Sequence, residues 1–185
     1  MTIDPLPQTT AALLLTFVFA SAALPKLADL PTFAAVVHNY RILPRLLVKP
    51  FAYVLPAVEV AVAVLLLLPA TRPVGAAAAS LLLGIFAVAV SVNVRRGRTE
   101  IDCGCFNSSL RQPISGWIVL RNVMLVLVAA VCLPAVGARA FGGFDACVAL
   151  LASSALAALY LSVGFITRRP PPPYEDNFHA SLNRP

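Results

Sequence analysis

Two cysteines separated by one glycine, Cys103-Gly104-Cys105, are the residues of this chain whose types and spacing best suit chemistry. They lie in a short polar segment between long apolar runs. A disulfide between thiols so close in sequence is near the limit of disulfide geometry, and Gly104 eases the turn because it lacks a side chain. A strained disulfide is readily reduced, so the pair predicts thiol-disulfide chemistry.

Charges of both signs surround the two thiols, with acids at Glu100 and Asp102 and bases at Arg95, Arg96 and Arg98. Cations favour a thiolate and acids oppose it, so the sequence leaves the net effect open. Two unreactive loop cysteines remain an alternative. Two thiolates could also bind copper or zinc, but a closed zinc site needs four ligands and no nearby Cys or His completes the set. No metal is therefore predicted.

Cys132 and Cys147 lie at the end of the fourth apolar segment and the start of the fifth. A short connection joins these segments, so the two thiols could form a second disulfide. Alternatively, each is a small apolar packing residue, which is a common role for free cysteine.

Glu59 and Arg121 lie inside apolar segments, where an ionised side chain is costly and usually marks pairing or function. Counted from the side of the cysteine loop, both reach a depth of about 12 to 14 Å, so an ion pair between them is expected. It would act as a clamp between helices or handle protons. Asn93, Asn122 and Lys26 lie towards the same side and extend this polar cluster, although Lys26 could instead snorkel to the interface.

The elements that hold these residues are membrane helices, because the chain is 59% hydrophobic and 12% charged over 185 residues, with a mean hydropathy of +0.86. Five segments approach the roughly 20 residues that cross a bilayer, and only helices satisfy their backbone there. They are residues 11–27, 50–69, 73–94, 113–134 and 144–166. We expect an all-α bundle of four to five transmembrane helices over residues 1–169.

The remaining segments are short or polar. Residues 31–43 place Phe33, Val36, Val37 and Tyr40 at helical spacing and predict a short interfacial helix after the first span. Residues 170–185 form a proline-rich tail that should be mobile. The first span is not expected to be a cleaved signal, because the residues before it include Asp4 and no Lys or Arg.

The net charge of +6 does not indicate nucleic-acid binding, because the basic residues are spread over loops and no soluble domain presents them. They predict topology instead. With five spans, one face of the membrane carries eleven of them and the other carries Arg72 and Arg139. Cytoplasmic loops are enriched in Lys and Arg, so the N-terminus should lie outside and the Cys-Gly-Cys loop should face the cytoplasm.

Several short motifs, taken in order, resemble the methylamine-utilisation MauE family, which is itself similar to DoxX-like membrane proteins. The resemblance spans roughly residues 10 to 135, and its most specific part is the Cys-Gly-Cys-Phe sequence. The motifs are Leu24-Pro25-Lys26-Leu27, Asn39-Tyr40 with Leu43-Pro44, Pro56-Ala57-Val58-Glu59, Asp102-Cys103-Gly104-Cys105-Phe106 and Arg121-Asn122. One departure is Asn107, where members often have glycine.

The resemblance implies a polytopic membrane protein that helps to mature the disulfide-rich small subunit of a periplasmic dehydrogenase, together with a thioredoxin-like partner. It also implies that Cys103 and Cys105 are the redox pair and that Glu59 and Arg121 are family-like polar positions. The predicted cytoplasmic loop conflicts with a client outside the cell. Either electrons cross the membrane through this protein or the charge rule fails here.

Three functions are therefore weighed. The first is a membrane thiol-disulfide redox protein that acts on a partner protein through the Cys-Gly-Cys pair. The second is a non-enzymatic accessory or scaffold subunit of a larger membrane complex. The third is a quinone- or lipid-binding role in the bundle, for which the sequence offers only apolar helix faces.

Overall fold

The computed structural model describes residues 2–99, 101, 114–137 and 139–166 of the chain, and the described part is almost entirely helical. The helices are α1 (Pro5–Ala28), α2 (Leu30–Asn39), α3 (Arg45–Leu67), α4 (Arg72–Arg95), α5 (Gly116–Ala130) and α6 (Gly143–Ile166). Two short strands, β1 (Thr2–Ile3) and β2 (Ala135–Val136), pair in parallel, with Thr2 opposite Ala135. The predicted all-α bundle is confirmed.

Four helices are long and apolar enough to cross a membrane: α1, α3, α4 and, in α6, Gly143–Gly164, with mean hydropathies between 1.8 and 2.2. The protein is thus a multi-pass membrane protein. The fourth predicted span, residues 113–134, corresponds to α5, which has 15 residues. At 1.5 Å per residue α5 is about 22 Å long, short of the roughly 30 Å of a bilayer core. The cysteine pair and the proline-rich tail lie outside the described residues.

Two aspartates set the starts of the first two helices. The Asp4 side chain accepts a hydrogen bond from the Leu6 amide at 2.9 Å, so α1 begins several residues before the predicted apolar segment. Asp29 accepts from the Thr32 amide at 3.1 Å and caps α2, the short helix predicted after the first span. Hydrogen bonds from Thr32 lower the pKa of the Asp29 carboxyl. Asp29 is the single residue between α1 and α2.

α1 lies at the centre of the bundle, where it packs against α3 and α6 and also contacts α2, α4 and α5. Its Leu15 is fully buried in a core that includes Leu66 of α3 and Ala79 of α4. The Thr16 hydroxyl donates to the Ala63 carbonyl oxygen at 3.3 Å and ties α1 to α3. The helix that carries Lys26 is therefore enclosed by most of its neighbours.

The turn between α3 and α4 depends on a close approach at Gly75. A Cβ atom at Gly75 would lie 2.9 Å from the Leu66 nitrogen and 3.0 Å from the backbone carbon of Leu65. These are backbone atoms, which cannot move aside as a flexible side chain does. Small residues at such positions let membrane helices pack closely.

We predict that Gly75→Ala lowers the free energy of unfolding by about 1 to 3 kcal/mol, since the added methyl group overpacks the turn. Gly84→Ala is the matched control on the same helix, because a Cβ at Gly84 would meet no neighbouring atom within 4 Å. The control should remain within about 1 kcal/mol of wild type. Denaturant unfolding in detergent or bicelles measures both variants, and equal stabilities would contradict the predicted close approach.

Candidate functional site

A buried ion pair joins the end of α1 to the middle of α3. Lys26 Nζ donates to Glu59 Oε1, and the side chains are 5% and 0% exposed. Two charges that are removed from water in this way stabilise a structure only when they are paired and hydrogen-bonded. The contact therefore constrains how α1 and α3 can pack against each other.

Aromatic rings enclose the ammonium group of Lys26 on its other sides. The ring centres of Phe33 on α2 and Phe86 on α4 lie 5.2 and 5.4 Å from Nζ. A cation at this distance from a ring face is attracted by the ring electrons. Lys26 is in the last turn of α1, from which a lysine could reach the membrane surface, but in this structure α2 folds over it and keeps it buried.

The predicted asparagines are also buried near this part of the bundle. Asn93 on α4 is fully buried, and its Nδ2 donates to the Ala89 carbonyl oxygen at 3.0 Å. Its Oδ1 has no hydrogen-bond partner among the residues the structure describes. Asn122 on α5 is 4% exposed and lies one turn after Ile118, which packs against Val90 of α4. Both amides are thus buried in the bundle, Asn93 on α4 and Asn122 on α5.

Arg121 is half-buried on α5, and its guanidinium lies 5.3 Å from the centre of the Tyr160 ring on α6. This contact links the short helix to the last one by a cation-π interaction. The ion pair described for Glu59 is the one with Lys26. The pairing of Glu59 with Arg121 stays a prediction.

The segment that carries Cys103 and Cys105 begins and ends at one point of the bundle. The Ile114 amide donates to the Ile101 carbonyl oxygen at 3.1 Å. Both isoleucines pack with Val90 and Ile118, and we call the part of the bundle around this cluster the loop end. The two cysteines themselves lie outside the described residues.

A glycine directs the chain from α4 towards this point. Gly97 has a φ of +71°, which favours glycine. Its amide donates to the Val94 carbonyl oxygen at 3.0 Å, and the Arg98 amide donates to the Asn93 carbonyl oxygen, also at 3.0 Å. These two bonds form a Schellman motif, which satisfies the carbonyl groups at the helix end. The buried Asn93 and the route to Ile101 are thus set by the same turn.

The second disulfide considered for Cys132 and Cys147 is not present in the structure, where both residues are free thiols. Cys132 is fully buried and its Sγ lies 3.6 Å from the Gln8 carbonyl oxygen on α1. Cys147 is exposed on α6. Cys132 packs towards α1 while Cys147 remains at the outside of the bundle, which agrees with the alternative of separate residues.

Sequence reasoning missed Gln8, which links three parts of the opposite end of the bundle. Gln8 Nε2 donates to the Pro134 carbonyl oxygen at 2.8 Å, and Arg72 Nη1 lies 3.4 Å from Gln8 Oε1. Arg72 Nε also donates to the Leu66 carbonyl oxygen at 3.3 Å. Arg72 was expected only as a loop charge, but it is 7% exposed and closes the α3–α4 turn. A polar residue within an apolar first turn was the available clue.

Within the part of the chain that the structure describes, no three His, Cys, Asp or Glu residues lie close enough together to hold a metal ion. The candidate polar residues from the sequence that the structure describes are a Lys-Glu pair, two buried amides and an arginine over a ring. Such a set can carry charge or hydrogen bonds within an apolar bundle.

Comparison with known proteins identifies one family. The family model for methylamine utilisation protein MauE matches residues 5–135. A protein named methylamine utilization protein MauE from Paracoccus denitrificans is 42% identical over 168 residues, which cover 89% of each chain. Its namesakes from Paracoccus versutus and Methylorubrum extorquens are 44% and 40% identical and cover 88% and 81% of each chain. No solved structure matches.

We predict that Lys26→Met or Glu59→Gln alone destabilises the protein more than the two together. Lys26→Met leaves a buried carboxylate without its ammonium, and loss of one member of a buried ion pair costs about 3 to 5 kcal/mol. Denaturant unfolding of both single variants and the double variant gives a double-mutant cycle. Strictly additive losses would show that the two charges do not stabilise each other.

Proposed function

This chain belongs to the MauE family, and we propose that it is a membrane protein that exchanges disulfides with a thioredoxin-like protein through Cys103 and Cys105. The relatives are named for methylamine utilisation. We extend that setting to this chain and propose that it assists the maturation of a disulfide-containing client. The proposal rests on chemistry at the loop end of the bundle.

One observation carries the proposal. The Ile101 carbonyl oxygen and the Ile114 amide nitrogen are 3.1 Å apart, so the segment that bears both cysteines is anchored at two adjoining points. The described residues on the two sides of the cysteine segment therefore meet at one place, which supports a reactive pair attached at the loop end.

The proposed reaction is an exchange that needs no additional oxidant. A thiolate of one protein attacks a disulfide sulfur of the other, which forms a mixed disulfide and releases one thiolate. The remaining thiol of the first protein then attacks the mixed disulfide as a thiolate. One disulfide has moved from one protein to the other, and the donor retains two thiols. Cys103 and Cys105 supply both groups on this side.

The buried polar residues would support this exchange indirectly. The Lys26–Glu59 pair ties α1 to α3, and Asn93 lies at the helix end that leads to Ile101. These residues hold the helices near Ile101 and Ile114 in one arrangement. They are positioning residues in this proposal, since none is described in contact with a cysteine.

An accessory subunit without redox chemistry is the second candidate, and α6 is the observation that favours it. Within its most apolar stretch 11% of the residues are buried, compared with 44% in α1. A helix with so few buried residues offers an apolar face to another membrane protein. Cysteine variants separate the two candidates.

We predict that Cys103→Ser and Cys105→Ser each abolish disulfide transfer, and that one of them accumulates a mixed disulfide with the partner because the resolving thiol is missing. Non-reducing electrophoresis followed by mass spectrometry detects the trapped species. Cys147→Ser is the matched control, because Cys147 is an exposed free thiol outside this segment. Full transfer by all three variants would favour the accessory subunit.

We predict that Cys103 and Cys105 react with a membrane-impermeant maleimide only after cells are permeabilised, since the distribution of basic residues favours a cytoplasmic loop. A variant with Gly142→Cys as its sole thiol reports the opposite face. Gly142 is exposed and its amide donates to Asp145, which pairs with Arg139 beside Asp4 at the start of α1. Labelling of Cys103 in intact cells would contradict the predicted orientation and show that the loop faces outward.

A further inference from the structure

An apolar cavity of about 180 Å³ lies directly beside the buried ion pair. Its walls come from α2 and the chain that follows, from α3 and from α4, and four of its residues are aromatic: Phe33, Tyr40, Phe51 and Phe86. Lys26 is the one charged residue in the lining that the structure describes. Neither the fold nor the proposed exchange at the cysteines accounts for this space.

The size and walls of the cavity suit one substituted aromatic or quinonoid ring. An apolar protein cavity of about 150 Å³ accommodates benzene, so 180 Å³ holds a six-membered ring with small substituents. A phospholipid with two acyl chains is far larger. Aromatic side chains pack well against flat rings in offset or edge-to-face arrangements.

The polar part of the cavity selects the kind of ring. An ammonium group has three N–H donors, and Glu59 accepts from one of them. Because the buried carboxylate of Glu59 already balances the charge of Lys26, an anionic ligand would bring an unbalanced negative charge into an apolar site. A neutral oxygen acceptor, such as a ring carbonyl, matches the Lys26 donor without that cost.

The cavity can be reached from the lipid phase, since two of its lining residues are at the outside of the bundle. Ile42 is 45% exposed and Ile85 is 47% exposed. A lipid-soluble ring with an apolar tail could therefore enter from the bilayer and leave its tail between the helices. We propose that this cavity binds the ring of a membrane quinone, with Lys26 donating a hydrogen bond to a ring carbonyl oxygen.

The cavity and the loop end share residues. Tyr40 and Val90 line the cavity and also pack in the cluster that contains Ile101 and Ile114. A use for the quinone follows, and this step rests on the proposed disulfide exchange. Two thiols at Cys103 and Cys105 lose two electrons and two protons and form one disulfide. The quinone takes up the two electrons and the two protons, and its two carbonyl oxygens become hydroxyl groups.

Binding is tested on the full chain in lipid nanodiscs with decylubiquinone as the probe, by isothermal titration calorimetry. Ala89→Phe should fill the cavity and weaken binding at least about tenfold, because Ala89 belongs to the lining. Val88→Phe is the matched control on the same helix, since Val88 is 64% exposed and lies outside the lining. It should change affinity less than about twofold.

Three results would overturn the site: no binding by wild type, equal binding by both phenylalanine variants, or equal competition by decanol, which has the tail without the ring. A variant with both Cys103→Ser and Cys105→Ser should bind the probe unchanged, so binding is tested apart from the exchange. When the reduced thioredoxin-like partner is supplied as the source of electrons, formation of quinol should require both cysteines. The absorbance change of the quinone measures this reaction. Binding without quinol formation would refute the electron-acceptor step and leave the cavity assignment intact.

Discussion

The Lys26–Glu59 ion pair is the interaction on which the arrangement of the bundle depends. Two ionised side chains in an apolar interior must find each other, because neither can be solvated where it lies. The pair therefore limits the packing of α1 against α3. α2 then covers Lys26 with the ring of Phe33, and α4 supplies Phe86 on another side. Four helices thus meet around one buried charge.

The two ends of the bundle are organised in different ways. At the end opposite the cysteine loop, Gln8 bonds to the Pro134 carbonyl oxygen and Arg72 to the Leu66 carbonyl oxygen. A bond between the Arg72 and Gln8 side chains then joins the α3–α4 turn to α1. At the loop end, the Schellman motif at Gly97 and the bond between Ile101 and Ile114 bring the chain out and back at one place. Because the backbone is hydrogen-bonded both where the chain leaves the bundle and where it comes back, a polar segment is attached to an apolar bundle without buried backbone groups left unpaired there.

The spans were predictable because each depends on local composition. Apolar runs long enough to cross a bilayer are visible in the sequence, and α1, α3, α4 and α6 agree with the predicted segments apart from their ends. The differences have local causes, such as the Asp4 cap that starts α1 at Pro5. α5 is shorter than its apolar run because the chain tightens into turns at Val131 and Cys132 before Pro134, where the missing amide prevents a further helical bond.

The sequence by itself determined that this is a helical membrane protein, that Glu59 and Arg121 lie within apolar segments, and through its motifs the family to which it belongs. Tertiary structure alone decided that Lys26 pairs with Glu59, since the two are 33 residues apart and a lysine at a helix end could equally have reached the interface. It also decided that Cys132 is buried and Cys147 exposed, both as free thiols, and that an apolar cavity opens beside Lys26. Composition and periodicity specify each helix, whereas contacts between helices depend on their mutual rotation and depth, which no single segment encodes.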